Sequence, residues 1–228
     1  MVKEFFAYFD AAIIEIIGWG ILETLYMVLV STFFAYLIGL PLGVVLILTD
    51  KKGMHPVPWL NGSLNIVVNI LRSIPFIILF VAMMPGIRVL IGKSYGPTAC
   101  VVGLVVSAFP FVARLVEQSL QEVDGGVVEA ALSMGASPQR ILWRVMLPEA
   151  APSLIVGCAI AATTILGYSA MGGFVGSGGL GDLALKYGHL RYESNMMIMC
   201  IILLVIIVQA MQELGMRVAK SGDKRNMG

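Results

Sequence analysis

Charge is what this sequence has least of. Asp, Glu, Lys and Arg supply 13% of its 228 residues, where a soluble domain carries about 25%, and the two signs nearly cancel to a formal net charge of +1. Binding to nucleic acid needs a basic field, and a solvating tail needs a run of one sign; the sequence offers neither, so no nucleic-acid partner is expected. Histidine occurs twice and cysteine three times, at Cys100, Cys158 and Cys200, each cysteine inside an apolar run. None has the spacing of a metal site or a redox pair, so the thiols read as buried and unpaired and no bound metal is expected. What fills the space is apolar: 58% of residues are hydrophobic and the mean hydropathy is +0.91. That composition belongs in a lipid bilayer, as an all-α integral membrane protein.

Runs without charge locate the spans, because a helix needs about 20 apolar residues to cross some 30 Å of hydrocarbon. Residues 24–49 contain no charge and are long enough for a tilted first span. Residues 53–71, with Pro56, Pro58, Asn61, Asn65 and Asn69, read as an interfacial approach helix leading past Arg72 into a second span near 74–90. Three more follow at about 94–113, 150–174 and 194–212, giving five crossings and placing the chain ends on opposite sides. With the amino end outside, the inner face receives Lys51, Lys52, Arg72, Arg114, Arg140, Arg144, Arg217, Lys220, Lys224 and Arg225, and the outer face keeps Lys3, Arg88, Lys93, Lys186 and Arg191. This two-to-one excess sets the carboxyl end and residues 125–148 in the cytoplasm.

The amino-terminal stretch has Glu4, Asp10 and Glu15 spread through it and no basic start, so it reads as retained rather than as a cleaved export signal. Phe5, Phe6, Phe9, Ile13, Ile16 and Ile17 recur at helical spacing, which suits an interfacial helix over 1–20 that turns inward near Gly18 to Gly20; the other reading is the first turns of a long first span. Three motif matches carry no chemistry. Gly86 to Gly92-Lys93-Ser94 has five residues between its glycines where a phosphate loop needs four. Gly176, Gly178 and Gly181 have dinucleotide spacing, but no strand precedes them. Asn61-Gly62-Ser63 fits a glycosylation acceptor but lies on the expected cytoplasmic face.

One polar, helix-forming island interrupts the apolar runs between spans three and four. Gly125-Gly126 is expected to break the third span, and residues 127–134 form a short helix on which Ala130 and Ala131 leave a flat face for close packing. Gly135, after Met134, permits the left-handed turn that ends it. Ser137 is placed to cap a second helix with Pro138 at its first position, and Pro148 is expected to stop that helix before the fourth span. The second helix exposes Arg140 and Arg144 and turns Ile141, Leu142 and Val145 toward protein. Such a helix-turn-helix knob is shaped to sit in a partner's cleft.

Glu129-Ala130-Ala131, three residues, Gly135, nine residues, Val145, one residue, Leu147 and Pro148 resemble the cytoplasmic coupling loop of ABC importer permeases of the binding-protein-dependent type; the one departure is Val145 where that loop has Ile. Arg72-Ser73-Ile74-Pro75-Phe76, Gly167-Tyr168-Ser169-Ala170-Met171-Gly172-Gly173 and Gly178-Gly179-Leu180-Gly181-Asp182 with Lys186-Tyr187-Gly188 look like the methionine importer permeases within that family. The resemblance implies a single permease domain over 1–228, a homodimer with a second copy, two ABC ATPase subunits that bind ATP and Mg while this chain binds no cofactor, an extracytoplasmic methionine-binding protein, and a place in the bacterial cytoplasmic (inner) membrane. It also implies import of methionine, L- and D- being open; another amino acid or small polar solute is the alternative. A membrane enzyme is the reading from another class, and it lacks a converging nucleophile, base or metal set, since Asp10, Glu15 and Glu23 have no His or Cys partner.

Within that frame, Met134 joins Glu129, Ala130, Ala131, Gly135, Val145, Leu147 and Pro148 as ATPase-coupling residues. Ser73, Tyr168, Ser169 and Met171 are candidates for the pore or gate, with ordinary helix packing as the other reading. Arg72 marks the inner mouth, reaching headgroups by snorkelling or meeting a substrate carboxylate. Pro75 and Pro110 kink spans for structure or for gating. The outer loop 173–194 carries Asp182, Lys186, Tyr187 and Arg191 as candidates for docking the binding protein, against the alternative of a solvated turn.

Overall fold

The computed structural model describes residues 10–222. Phe5, Phe6 and Phe9 of the expected interfacial helix, Lys3, Lys224 and Arg225 lie outside the described residues. Hydrocarbon leaves backbone groups no partner but each other, and among the described residues every long element is a helix, with no strand. The elements are α1 (Ala11–Thr49), α2 (Pro58–Ser73), α3 (Phe76–Ile91), α4 (Pro97–Gln121), α5 (Gly125–Ser133), α6 (Pro138–Ile141), a π turn (Leu142–Met146), α7 (Leu147–Gly172), a 3-10 turn (Gly173–Val175), α8 (Gly179–Leu183), a second π turn (Ala184–His189) and α9 (Ser194–Gly222).

Four helical segments are long and apolar enough to cross a membrane: α1, α4, the continuous run Pro138–Val175, and α9. The pair α2 and α3, bent at Ile74 and Pro75, supplies the fifth when counted as one broken span. Pro75 sits at the N-cap of α3 with φ −57° and ψ 136°, so its ring and extended backbone end one helix and admit the next. Pro110 lies inside α4. The sequence reading put a turn at Gly18 to Gly20, but α1 runs unbroken from Ala11 for 39 residues. Nothing lies within 4 Å of a Cβ built at Gly18, whereas one at Gly20 meets the Leu183 side chain, so Gly20 serves packing rather than a turn.

The chain divides into two compact units whose boundaries fall inside α1, α4, α7 and α9 and at the α2–α3 break. The first comprises the described residues up to Phe33, Ile74–Ser107 and Ala162–Met211. Ile17, Leu180, Met196 and Cys200 form one of its cores, and Val28, Ala162 and Leu166 another, with Leu204 and Ile207 packed against both. The three cysteines are free thiols, Cys100 and Cys200 being fully buried. Trp19, Leu22, Tyr26, Leu29 and Phe33 of α1 are exposed at helical spacing, while Thr24, Met27, Val28, Ser31 and Thr32 are buried. Large apolar residues outward and small or polar ones inward is the pattern of a helix bathed in lipid.

The second unit comprises Phe34–Ser73, Ala108–Ala161 and the residues from Gln212 on. Within it α1 and α4 approach closely. A Cβ at Gly39 would lie 2.7 Å from Val112 Cγ1, and one at Gly43 2.6 Å from the Ala113 carbonyl oxygen, so this Gly-x-x-x-Gly pair brings the two backbones together. Leu46, Val68 and Ala113 make the core beside it. A polar ladder ties α2 to its neighbours. Asn61 Nδ2 donates to the Leu46 carbonyl at 2.8 Å and to Thr49 Oγ1 at 3.2 Å, and Asn65 Nδ2 donates to Asn61 Oδ1 at 2.8 Å. Arg114 Nη2 donates to Asn65 Oδ1 and, at 3.0 Å, to Asn69 Oδ1.

A side chain at Gly43 has no room to enter against a backbone oxygen. Gly43→Val is expected to cost about 1–3 kcal/mol, read as a lower thermal unfolding midpoint in detergent. Gly62→Ala, where nothing lies within 4 Å, is expected to leave the midpoint equal or slightly raised, since an exposed helical alanine gains about 0.5–1 kcal/mol over glycine.

Candidate functional site

The loop between α4 and α7 is built by local capping chemistry. The sequence reading broke the third span at Gly125-Gly126; the break falls instead at Glu122–Asp124, and both glycines open α5. Asp124 decides this, because its Oδ1 accepts the Gly126 N–H at 2.7 Å and so satisfies one of the orphan donors of the first turn. At the other end the Gly135 and Ala136 N–H groups donate to the Leu132 and Ala131 carbonyls, at 2.9 and 3.1 Å. Gly135 closes the turn with φ +77°, a region that a side chain makes costly. Ser137 takes the extended N-cap backbone of α6, with Pro138 following, but its hydroxyl makes no capping bond.

Pro148 does not stop the second helix as expected. The helix runs from Pro138 to Val175, and Pro148 is its eleventh residue. A proline lacks the N–H and presses its ring on the carbonyl four residues back, here that of Arg144. The π turn Leu142–Met146, in which the Leu147 N–H reaches the Leu142 carbonyl, widens the helix at that carbonyl and lets the chain continue. The result is one rod of 38 residues, about 57 Å long.

The surface of this loop is unlike that of a free turn. Glu129, Ala130, Gly135 and Pro148 are exposed, Val145 and Leu147 are half-buried, and Ala131 is buried with Ile141, Leu142 and Met146. Arg140 and Arg144 are exposed, as the sequence pattern implies. Beside them stand apolar side chains with nothing over them, Met134 at 80% exposure and Trp143 at 66%, together with Val127 and Leu132. Apolar groups this open on a polar loop mark a surface that another protein covers.

The pore and gate candidates separate. Tyr168 stacks on Phe76 with ring centroids 5.3 Å apart and planes 5° from parallel, and Phe76 in turn stacks on Phe80 at 5.9 Å. Met171 is exposed. Ser169 is 2% exposed and its hydroxyl donates to the Leu166 carbonyl at 2.8 Å, so it is enclosed by its own chain. Ser73 is exposed at the end of α2, its hydroxyl returned to the Asn69 carbonyl at 2.8 Å. Arg72 holds its guanidinium 6.0 Å from the centre of the Phe111 ring.

Residues 173–194, between α7 and α9, form a compact turn. Gly176, Gly178 and Gly179 all take positive φ, +73°, +79° and +76°, which is what the glycine cluster supplies. The Gly179 N–H donates to Glu23 Oε2 at 2.7 Å and the Leu180 N–H to Thr24 Oγ1 at 2.9 Å, so two side chains of α1 satisfy the start of α8. Asp182, expected on the docking surface, is 6% exposed and paired with Lys186 at 2.6 Å. It is held inside because Gly173 and Gly181 let the backbones close on each other. Lys186 and Arg191 are exposed, Arg191 lying 4.4 Å over the Tyr187 ring.

The family described as the binding-protein-dependent transport system inner membrane component matches residues 39–215, a stretch that takes in the α5–α6 loop, the aromatic stack and the outer loop. The chain belongs to that family. It is similar to the probable D-methionine transport system permease protein MetI of Vibrio cholerae, with 44% identity over 203 residues, 89% of this chain and 90% of that protein. It is 44% identical to the protein of the same description from Pasteurella multocida over 211 residues, 92% of this chain and 97% of that one. A solved structure described as an inward-facing conformation of the MetNI methionine ABC transporter overlays with a TM-score of 0.93 at 42% identity, covering 95% of this chain and 100% of that chain.

The permease is thus a transport subunit, and several of its telling residues escape sequence reasoning. Trp143 sits between Leu142 and Arg144, where a helix with a buried face and a charged face has no obvious use for an exposed indole; that mismatch is the signal that finds it. Glu23 and Thr24 leave no such trace, since their partners lie 156 residues away. Asn61, Asn65 and Asn69 repeat every four residues, which marks one polar face of α2 without naming Arg114 as what meets it.

Removing the Asp124 cap tests how the loop is built. Asp124→Ala is expected to cost about 1 kcal/mol locally, seen as roughly fivefold faster amide exchange over residues 125–128 with the spans unchanged. Unaltered exchange there means that the cap does not hold α5.

Proposed function

We propose that the permease is the membrane-spanning subunit of an ATP-driven importer that moves methionine into the bacterial cytoplasm. One observation carries the reading: the whole-chain overlay, at TM-score 0.93 and 42% identity, on a methionine ABC transporter. Two copies of this chain form the pathway between them, because a handful of helices encloses no pore alone while a twofold pair lines one. Two ATPase subunits bind ATP and Mg on the cytoplasmic side, and this chain carries no catalytic residue or cofactor. An extracytoplasmic protein delivers methionine to the outer loop, where the exposed Lys186 and Arg191 and the half-buried Tyr187 meet it. The excess of Lys and Arg on one set of loops orients the chain with its amino end outside and its carboxyl end in the cytoplasm.

The geometry supports a lever. α5 seats in an ATPase cleft through Glu129, Ala130 and Met134, with Trp143 alongside, and Val145, Leu147 and Pro148 carry the displacement into the rod that ends beyond Met171. A continuous helix transmits such a push because its backbone bonds resist compression, whereas a loop would absorb it. Met171, the Tyr168 ring and Ser73 line the path, a soft thioether and an aromatic face suiting an apolar thioether amino acid. Direction comes from ATP favouring one packing of the spans over the other, since a substrate bound equally in both states shifts neither.

In proteoliposomes holding the whole complex, Glu129→Lys and Gly135→Pro are expected to abolish uptake of labelled methionine and to uncouple ATP hydrolysis while both variants still insert. Normal uptake by both variants overturns the coupling assignment, and uptake competed by other amino acids but not by methionine overturns the substrate. A cysteine introduced as Ser133→Cys is expected to label only from the inner face; labelling from outside intact cells reverses the orientation.

A further inference from the structure

We infer that Arg114 is the positioning residue that makes α2 follow the coupling loop, an inference that rests on the importer reading. A cation in an apolar helix is expensive and calls for partners. Those of Arg114 are unusual in their distribution. Nη1 donates to Glu117 Oε2 at 2.6 Å on its own helix, which by itself balances the charge. The other arm of the guanidinium leaves α4 and donates to Asn65 Oδ1 and Asn69 Oδ1 on α2. Neutralising Glu117 does not require those two contacts. A planar guanidinium with one nitrogen on Glu117 of α4 and the other shared between two α2 acceptors one helical turn apart fixes the position of one helix along the other, because its two prongs are held at a set separation and a point charge has none.

α2 has little else to hold it. Val68 is its one fully buried side chain among the described residues, and Trp59, Ile66, Val67 and Ile70 face outward. Its inward face is the asparagine ladder, fastened to the end of α1 through Asn61 and to α4 through Arg114. Packed apolar side chains resist sliding as a block. The two bonds from Arg114 to Asn65 and Asn69 instead join α2 to α4 at one place, so α2 follows the displacement of that place. α4 reaches α5 through Glu122, Val123 and the Asp124 cap alone, so a displaced coupling loop pulls the end of α4 that bears Arg114. α2 passes at Ile74 and Pro75 into α3, which carries Phe76 of the aromatic stack.

The test uses the full complex in proteoliposomes and reads ATP hydrolysed per labelled methionine imported, a ratio that loss of folded protein alone does not move. Arg114→Lys keeps the charge beside Glu117 but loses the fork; Asn65→Ala with Asn69→Ala keeps the Arg114–Glu117 pair but removes the α2 acceptors. Both are expected to raise the ratio about tenfold, within the 0.5–2 kcal/mol by which residues between two sites modulate coupling, with hydrolysis retained. Should Arg114→Lys fail to assemble, the asparagine pair decides. A ratio within about twofold of the unaltered complex, or uptake and hydrolysis falling in parallel, overturns the inference. If the unaltered complex imports no methionine, the importer reading fails first and takes the inference with it.

Discussion

Hydrocarbon gives a backbone N–H or C=O nothing to bond to but the chain itself, and every feature of this permease follows from that constraint. Several hydroxyls inside the spans obey it too, with Thr32 Oγ1 in α1 a buried exception. The hydroxyls of Thr24, Thr49 and Ser169 each return to a carbonyl of their own helix, at 2.8, 2.7 and 2.8 Å. The polar groups that do cross between helices do so as satisfied sets: Glu23 and Thr24 on the start of α8, and Arg114 with Glu117 and two asparagines. With water's contribution to apolar association absent, close approach replaces it, and the glycines at 39 and 43 bring α1 and α4 near enough for dispersion and backbone contact to hold them.

Function gathers where the regular helix is given up. Gly135 turns the chain between α5 and α6, the π turn before Pro148 widens it, and Gly176, Gly178 and Gly179 fold the outer loop. Each departure has a local compensation: a cap, an extra residue in the turn, or a carboxylate from α1. The departures are therefore rigid, which suits parts that must transmit force or present a fixed surface. The π turn is the clearest case, since it converts an expected helix stop into an uninterrupted rod joining the α5–α6 loop to the residues around Met171.

Exposure carries opposite meanings in different parts of the chain. Outward Trp19, Leu22 and Leu29 on α1 meet lipid, where exposed apolar side chains are at home. Outward Met134 and Trp143, on a loop whose neighbours are Glu129, Arg140 and Arg144, face water in the isolated chain and are apolar enough to favour being covered.

Much of this was legible in the residues alone. Uncharged runs marked the spans, because length and the absence of charge are sufficient to enter a bilayer; the spacing from Glu129 to Pro148 marked a helix-turn-helix between α4 and α7, because short helices and turns are specified by neighbours in the chain. Local rules misplaced the break before α5 and the end of α6, where Asp124 competed with the glycines and a π turn with Pro148. What no local rule reaches is pairing across the sequence. Glu23 meeting Gly179 and Arg114 meeting Asn65 and Asn69 were decided by tertiary structure, as were the burial of Asp182 and the exposure of Trp143. Helical period says which face of a helix is polar, but which helix comes to lie against that face depends on how the spans pack together.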